Sequence, residues 1–341
     1  MKLLIITQKV DKDDPVLGFF HRWLIEFAED WDLITVICLQ IGVVELPKNV
    51  KVYSLGKEDN VSILTYLKRF YQYIWRFRRD YDAVFVHMNQ EYVLLGAWLW
   101  RLWGKKTALW YNHTSGSWLT RLAGKMVHLV FHTSAYAYTA QFNNARSMPA
   151  GIDLSRFKII PSAEKISHSV LSLGRLAPVK GIHTLIAALN QLDQEGFPAR
   201  LNIYGEADAL NSDYFHRLKQ SAGRRVKFCG SVPNYQTPEI YYHHEVFVNL
   251  TPPGNYDKTV LEAMACGLMP VVASPAFADI VPSALRPDAS DPSSIALCLK
   301  CALVISSAEK QKLTNKFQTY VVENHSLALL SKQLSDIFTS V

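Results

Sequence analysis

Residues 169–193 read SVLSLGRLAPVKGIHTLIAALNQLD, and the fold turns on how this stretch is understood. Ser169 to Leu173 form a short apolar run of the kind buried in a parallel sheet, and Gly174 ends it. Gly174-Arg175-Leu176-Ala177-Pro178-Val179-Lys180-Gly181 then makes a turn, after which apolar residues recur at helical spacing from Ile182. Strand, short loop and helix in this order are one half of a crossover, the connection that parallel strands require.

Outward from this unit the same rhythm repeats. Strands are expected at 3–7, 34–38, 83–87, 107–111 and 128–132 on one side, and at 200–204, 226–229, 245–249 and 269–273 on the other, with amphipathic stretches between them. The segment from Met148 to Ser167, with Pro149, Gly151 and Pro161, interrupts the alternation before an identical pattern restarts. A chain of 341 residues is long enough for two cores. The expectation is therefore an α/β protein of two Rossmann-like domains, 1–160 and 161–325, joined by that segment.

Composition excludes several classes. Hydrophobic residues make up 49% and charged residues 19%, so the chain is a folded globular one rather than disordered or fibrous. The five Cys are an odd number, four of them in apolar runs, which reads as reduced thiols. Cys298 and Cys301 form a C-x-x-C inside IALCLKCALV, an apolar helix without a second ligand pair, so neither zinc nor a redox pair is expected there. The opening MKLLIITQKV is too short for a signal peptide, and no apolar run reaches the 18 residues or so of a spanning helix; a cytoplasmic location is expected. The net charge of +6 lies wholly in the first half. Between residues 65 and 125, Lys68, Arg69, Arg76, Arg78, Arg79, Arg101, Lys105, Lys106, Arg121 and Lys125 face only Asp80, Asp82 and Glu91. This suits an anionic partner, a membrane surface or nucleic acid.

In open parallel sheets ligands bind beyond the carboxyl ends of the strands. After the strand 169–173, Arg175 and Lys180 put two cations on a loop that opens a helix, a fit for a diphosphate, although a solvated basic turn looks the same. It is not a Walker loop. After the strand 245–249 comes TPPGNYDKTVLEAMACG, where Asp257 or Thr259 can cap the next helix and Glu262 lies one turn inside it. A carboxylate at that place can accept from the two adjacent hydroxyls of a ribose. Its apolar neighbours argue against a solvated helix-face Glu, because a buried carboxylate needs partners.

MPAGIDLSRF, LSLGRLAPVKGIHTLIAAL and VLEAMACGLMPVVAS, in this order between about 148 and 274, resemble the nucleotide-sugar-dependent glycosyltransferases of the group 1 type, family four, which are retaining and have the GT-B fold. The resemblance covers most of the C-terminal half. It implies two Rossmann-like domains facing across a cleft, the first for acceptor and the second for donor, with the last helix (326–341) packing back on the first. It implies that Arg175 and Lys180 hold the donor diphosphate, that Glu262 holds the ribose, and that no metal or other cofactor is needed. Gly254 departs from the pattern, standing where the family has a Glu that contacts the donor sugar. Asp257 and Lys258, with Thr259, are the candidates to take over sugar or phosphate contacts.

In the N-terminal half, Gly18 resembles the family's glycine loop near the donor phosphate. Asp11 and Asp13 form a D-x-D, read here as loop composition rather than a metal site, and Asp13 or Asp14 is a candidate to orient or deprotonate an acceptor hydroxyl. His113, after the strand ending at Trp110 and Tyr111, resembles the histidine beside the donor sugar and is preferred over His87 and His132. The stretch 64–79 interleaves aromatic and basic residues, with Trp98, Trp100, Trp103, Lys105 and Lys106 nearby. It is either a packed helix with snorkelling Arg or a patch that meets an anionic membrane. The expected function is transfer of a hexosyl group from a nucleoside diphosphate sugar to a hydroxyl on a glycan or lipid-linked acceptor; a non-catalytic nucleotide- or sugar-binding relative is the alternative. Nucleic acid is not expected as a partner, because no helix-turn-helix, zinc or aromatic RNA-binding signature is present.

Overall fold

The computed structural model describes residues 1–162, 164–251 and 256–340. The chain divides into two compact units, one made of residues 1–151, 233–235 and 327–341, the other of 152–232 and 236–326.

The first unit runs β1 (Lys2–Val10), α1 (Gly18–Asp30), β2 (Leu33–Ile41), β3 (Val50–Ser54), α2 (Ile63–Arg76), β4 (Ala83–His87), α3 (Gln90–Leu102), β5 (Lys106–Trp110), α4 (Trp118–Met126), β6 (Leu129–His132) and β7 (Ala145–Ser147). Its seven strands are all parallel, in the order β3-β2-β1-β4-β5-β6-β7. Alternation along β1 assigns the two layers. Leu3 and Ile5 face a core with Phe20, Trp23, Leu24 and Phe27 of α1, whereas Leu4 and Ile6 face Phe70 and Ile74 of α2 and Val93, Ala97 and Trp100 of α3.

The second unit runs β8 (Ser169–Leu173), α5 (Ile182–Gln194), β9 (Arg200–Tyr204), α6 (Ser212–Ser221), β10 (Val226–Gly230), α7 (Thr237–Tyr242), β11 (Val246–Asn249), α8 (Lys258–Ala265), β12 (Met269–Val272), α9 (Pro292–Val304) and α10 (Ser307–His325). Its five parallel strands lie in the order β10-β9-β8-β11-β12. In both sheets the order reverses beside the first strand, which places a topological switch point between β1 and β4 and another between β8 and β11. The last helix, α11 (Leu327–Ser340), packs on α1, with Leu330, Leu334, Ile337 and Phe338 in the same core as Trp23 and Phe27.

The units part at Gly151, earlier than residue 160. Trp23 Nε1 donates to the Gly151 carbonyl at 2.9 Å. Gly151 has φ +70°, and a Cβ there would lie 2.6 Å from Leu330 and 2.7 Å from the Trp23 ring, so only glycine fits. From Ile152 on, the chain packs in the second unit: Ile152 donates to the His325 carbonyl at 2.7 Å, and Phe157 meets Tyr241 edge-on.

Candidate functional site

The switch point of the second unit gathers the loops that follow β8 and β11. Gly174 leaves β8 with φ +147°, and Gly205, with φ +141°, lies so close that a Cβ there would sit 1.8 Å from the Gly174 oxygen. A single 3₁₀ turn, Pro178–Lys180, and Gly181 in the left-handed region deliver the chain into α5. No side chain caps α5, although the His183 amide meets the Tyr214 hydroxyl at 3.3 Å. The helix end therefore presents backbone amides, the positive end of its dipole, on the same side as Arg175 and Lys180. Arg175 is exposed. Ser172, Gly174, Arg175, Lys180, Asn249 and Thr251 line a shallow recess here.

Lys180 reaches across to the β11 loop. Its ammonium donates to Asp257 Oδ2 at 2.7 Å and to Thr251 Oγ1 at 3.0 Å. Asp257 Oδ2 also accepts from Asn249 Nδ2 and from Thr251 Oγ1, each at 2.8 Å. Burial pushes the Asp257 carboxyl up, but the Lys180 charge and these hydrogen bonds outweigh it, and the group is held below the ordinary carboxylate range. Asp257 occupies the N-cap position of α8, yet its side chain accepts from no helix amide; Thr259 lies within the first turn. The expected side-chain cap is replaced by the ion pair to Lys180, because the carboxylate turns toward the cation instead of the helix end.

Glu262 is 4% exposed, and Tyr241 donates its hydroxyl to Glu262 Oε2 at 3.0 Å. Burial pushes the Tyr241 phenol well up, with the Glu262 charge adding to it, so this hydroxyl stays a donor. Lys258 opens α8; burial drives its ammonium well below the usual lysine range, and Glu262, one turn on, works against that. Gly254 lies outside the described residues. The sequence reading missed Tyr256: its ring stacks on Phe277 at 4.4 Å and its hydroxyl meets Tyr320 and His325 Nε2. Partners 64 and 69 residues away leave no local signal.

In the first unit the loop after β1 is organised by Lys9. Its ammonium pairs with Asp11 at 3.1 Å and Asp14 at 2.6 Å. Asp14 also accepts from the Val16 and Leu17 amides, and its carbonyl accepts from Gly18, which opens α1. Asp11 accepts from the amides of Asp13 and Val43. Asp11 and Asp14 are thus held by Lys9 and the backbone. Among the described residues the Asp13 carboxylate has no hydrogen-bond partner, and no three His, Cys, Asp or Glu side chains stand together as metal ligands. His113, past the end of β5, is exposed, with its ring against Tyr111 at 5.3 Å. His87 is buried, stacked on Phe20 at 4.5 Å and 3.3 Å from Thr7 Oγ1, and His132 is buried against the Ser134 carbonyl. Of the three strand-end histidines, His113 alone is exposed.

Not all of the aromatic and basic stretch faces outward. Trp100 is fully buried, because its position on α3 points into the sheet, and Lys106 donates to the Phe338 carbonyl at 2.8 Å. Trp75, Trp98 and Trp118 are exposed.

Residues 167–303 match the family model of group 1 glycosyl transferases. No curated protein sequence matches the chain. Among solved structures, Anabaena HepE in complex with UDP and glucose is similar over 100% of both chains at 19% identity, with a TM-score of 0.79. Sucrose-phosphate synthase from Thermosynechococcus elongatus is similar over 100% of this chain and 99% of its own at 17% identity, with a TM-score of 0.82. A glycosyltransferase from Rickettsia africae is similar over 99% of this chain and 98% of its own at 13% identity, with a TM-score of 0.78. The likeness to the group 1 family model lies on residues 167–303, and over its whole length the chain has the two-sheet α/β fold of the GT-B glycosyltransferases.

Proposed function

We propose that the protein transfers a hexosyl group from a nucleoside diphosphate sugar to a hydroxyl on a glycan or lipid-linked acceptor, with retention at the anomeric carbon. The observation that carries this reading is the pair of cations on the loop that opens α5, beside a buried carboxylate on α8. Arg175, exposed at the switch point, is free to bind diphosphate oxygens through two parallel N–H bonds. Lys180, fixed by Asp257 and Thr251, presents its remaining donor to the same group, and the amides of α5 add the helix end. Glu262, anchored by Tyr241, accepts from the ribose hydroxyls. Lys258 and Thr259 are assigned to the sugar side.

In the reaction the bond from the anomeric carbon to the diphosphate breaks and the bond to the acceptor oxygen forms on the same face. The acceptor proton passes to the departing phosphate oxygen. Arg175, Lys180 and the end of α5 stabilise the charge that develops there, which is electrostatic catalysis by groups already in place and needs no metal. The resemblance assigns the donor sugar to His113 and the acceptor hydroxyl to Asp13.

The Anabaena structures with UDP and with UDP-glucose make UDP-glucose the first donor to try. Arg175→Ala and Lys180→Ala should each weaken UDP binding in calorimetry by about 1.5–3 kcal/mol, the range for hydrogen bonds to charged groups, with the fold intact. Unchanged affinity in both variants would overturn the assignment of this loop.

A further inference from the structure

We infer that the outer face of α2, α3 and α4 docks the first unit onto an anionic lipid bilayer. These three helices cover one side of the seven-stranded sheet, since their inner residues share one core with Leu4, Ile6, Val84, Val86 and Leu109. They are tied edge to edge: the Trp75 and Trp103 rings lie 5.6 Å apart, Phe70 meets Tyr92 and Trp100, and α3 packs along α4. Their outward stripes therefore form one continuous surface.

That surface is not an ordinary solvated one. Trp98 is 57% exposed, Leu102 74% and Trp118 73%, and Leu64 and Trp75 extend the row along α2. Isolated exposed apolar residues are common, but three indoles on neighbouring helices of one face form a patch that water disfavours. Charge selects the partner. Lys68 and Arg76 on α2, Arg101 on α3, and Arg121 and Lys125 on α4 are exposed on the same helices as the apolar residues, where Glu91 is the acid. Arg78 lies over the Trp75 ring at 4.8 Å, so its charge is held beside an indole. Beside α4 a recess lined by Arg121, Lys125, Gln141, Phe142 and Asn143 combines cations, amides and one ring, a fit for a phosphate-bearing headgroup.

Indoles at the headgroup level with interspersed Lys and Arg are the composition of an interfacial membrane surface. A nucleic acid offers the same charge but no apolar layer for Trp98, Leu102 and Trp118. No single described helix is long and apolar enough to cross a membrane, and the contact proposed, on α2, α3 and α4, is with the bilayer surface. A lipid-linked acceptor would be met there, yet the docking itself requires neither donor nor turnover.

Co-sedimentation of the full chain with vesicles of phosphatidylcholine alone, or mixed with phosphatidylglycerol, tests this. Binding to the mixed vesicles, little to the neutral ones, and a fall with added salt are expected. The triple variant Arg101→Glu, Arg121→Glu, Lys125→Glu should lower partition by at least about 100-fold, since each surface cation near an anionic leaflet contributes roughly fivefold. Trp98→Ala with Trp118→Ala should also lower it, and the wild-type tryptophan emission should shift to the blue on binding. All five side chains are exposed, so an unchanged melting temperature is expected to show that the variants fold. Wild-type protein that ignores the mixed vesicles at low salt overturns the proposal. So does binding that is insensitive to both tryptophans, or binding to duplex DNA as tight as to vesicles, because charge alone would then explain it. UDP affinity, read separately, reports on the donor site and not on this face.

Discussion

Lys180 does not meet the solvent with its charge bare. Asp257, with Asn249 and Thr251 on the same oxygen, holds the ammonium in place before any anion arrives. The departure from the resemblance at Gly254 made Asp257 a candidate for sugar or phosphate contacts; its Oδ2 accepts from three donors, so in the proposed reaction it would act through Lys180. The two residues lie 77 apart in the chain, and no local pattern announces such a pair. Arg175, Lys180 and Glu262 were legible because loop, helix start and helix turn each leave a short-range mark; the partner of Lys180 was not. Asp257→Asn should leave UDP affinity equal to the wild type or tighter, since a negative charge beside the cation is gone. Turnover should fall at least about tenfold, or about 1.4 kcal/mol, because Lys180 loses the fixed position it has in the transition state. Equal loss in both quantities would make Asp257 merely structural. The pair is not an acid switch near neutrality. Its folded carboxyl titrates below the unfolded value of 3.8, so the stabilisation is present above that value and is lost only as pH falls through the lower folded one.

At the scale of elements, the loop that carries Arg175 is set by two glycines on neighbouring strands. Gly205 follows β9 and Gly174 follows β8, and since a Cβ at 205 would lie 1.8 Å from the Gly174 oxygen, any other residue there must push the Gly174 peptide away. Gly205→Ala should therefore cost at least about 2 kcal/mol through left-handed strain and displaced backbone, and should weaken UDP binding because Arg175 moves with the loop. Gly196→Ala is the comparison. Gly196 also has a positive φ, of +74°, but nothing lies within 4 Å of its added Cβ, so strain acts there alone. If the two variants melt together and bind UDP alike, the loop is not positioned by this contact. Most strands of both sheets were legible to within one or two residues from apolar runs, though β1 and β2 each extend to nine residues. The exceptions are β3 and β7. Val50–Ser54 is half polar at an edge and Ala145–Ser147 is three residues long, so neither carries the apolar run by which buried strands were recognised.

Across the whole molecule, each unit has its own core, and the second is entered at Ile152 and left at Ser326, residues that pair in an isolated bridge. His325 stands at this crossing. Its imidazole meets the hydroxyls of Tyr256 and Tyr320, and burial drives its pKa down to about 4. The sequence showed the break near this crossing through Met148 to Ser167, but not that a buried histidine closes it, because the tyrosines come from separate segments. The sign of the pH effect follows. The unfolded chain takes up a proton near 6.5 and the folded one only near 4, so the stabilisation is complete above about 6.5 and is lost as pH falls between these values. By pH 5.5 the loss is about 1.4 kcal/mol, and across the whole window about 3 kcal/mol. His21, His128, His132 and His244 are lowered too, each chiefly by burial, and contribute with the same sign. A comparison therefore isolates His325: urea midpoints at pH 7.5, 5.5 and 4.5 for the wild type and for His325→Gln, which keeps a hydrogen-bonding side chain that does not titrate. The variant should be less stable at pH 7.5 and should lose less on acidification than the wild type, the two curves converging toward pH 4.5. Parallel curves would mean that His325 takes up its proton without cost, so that the two tyrosines reorient to accept from the charged ring and the crossing is insensitive to acid.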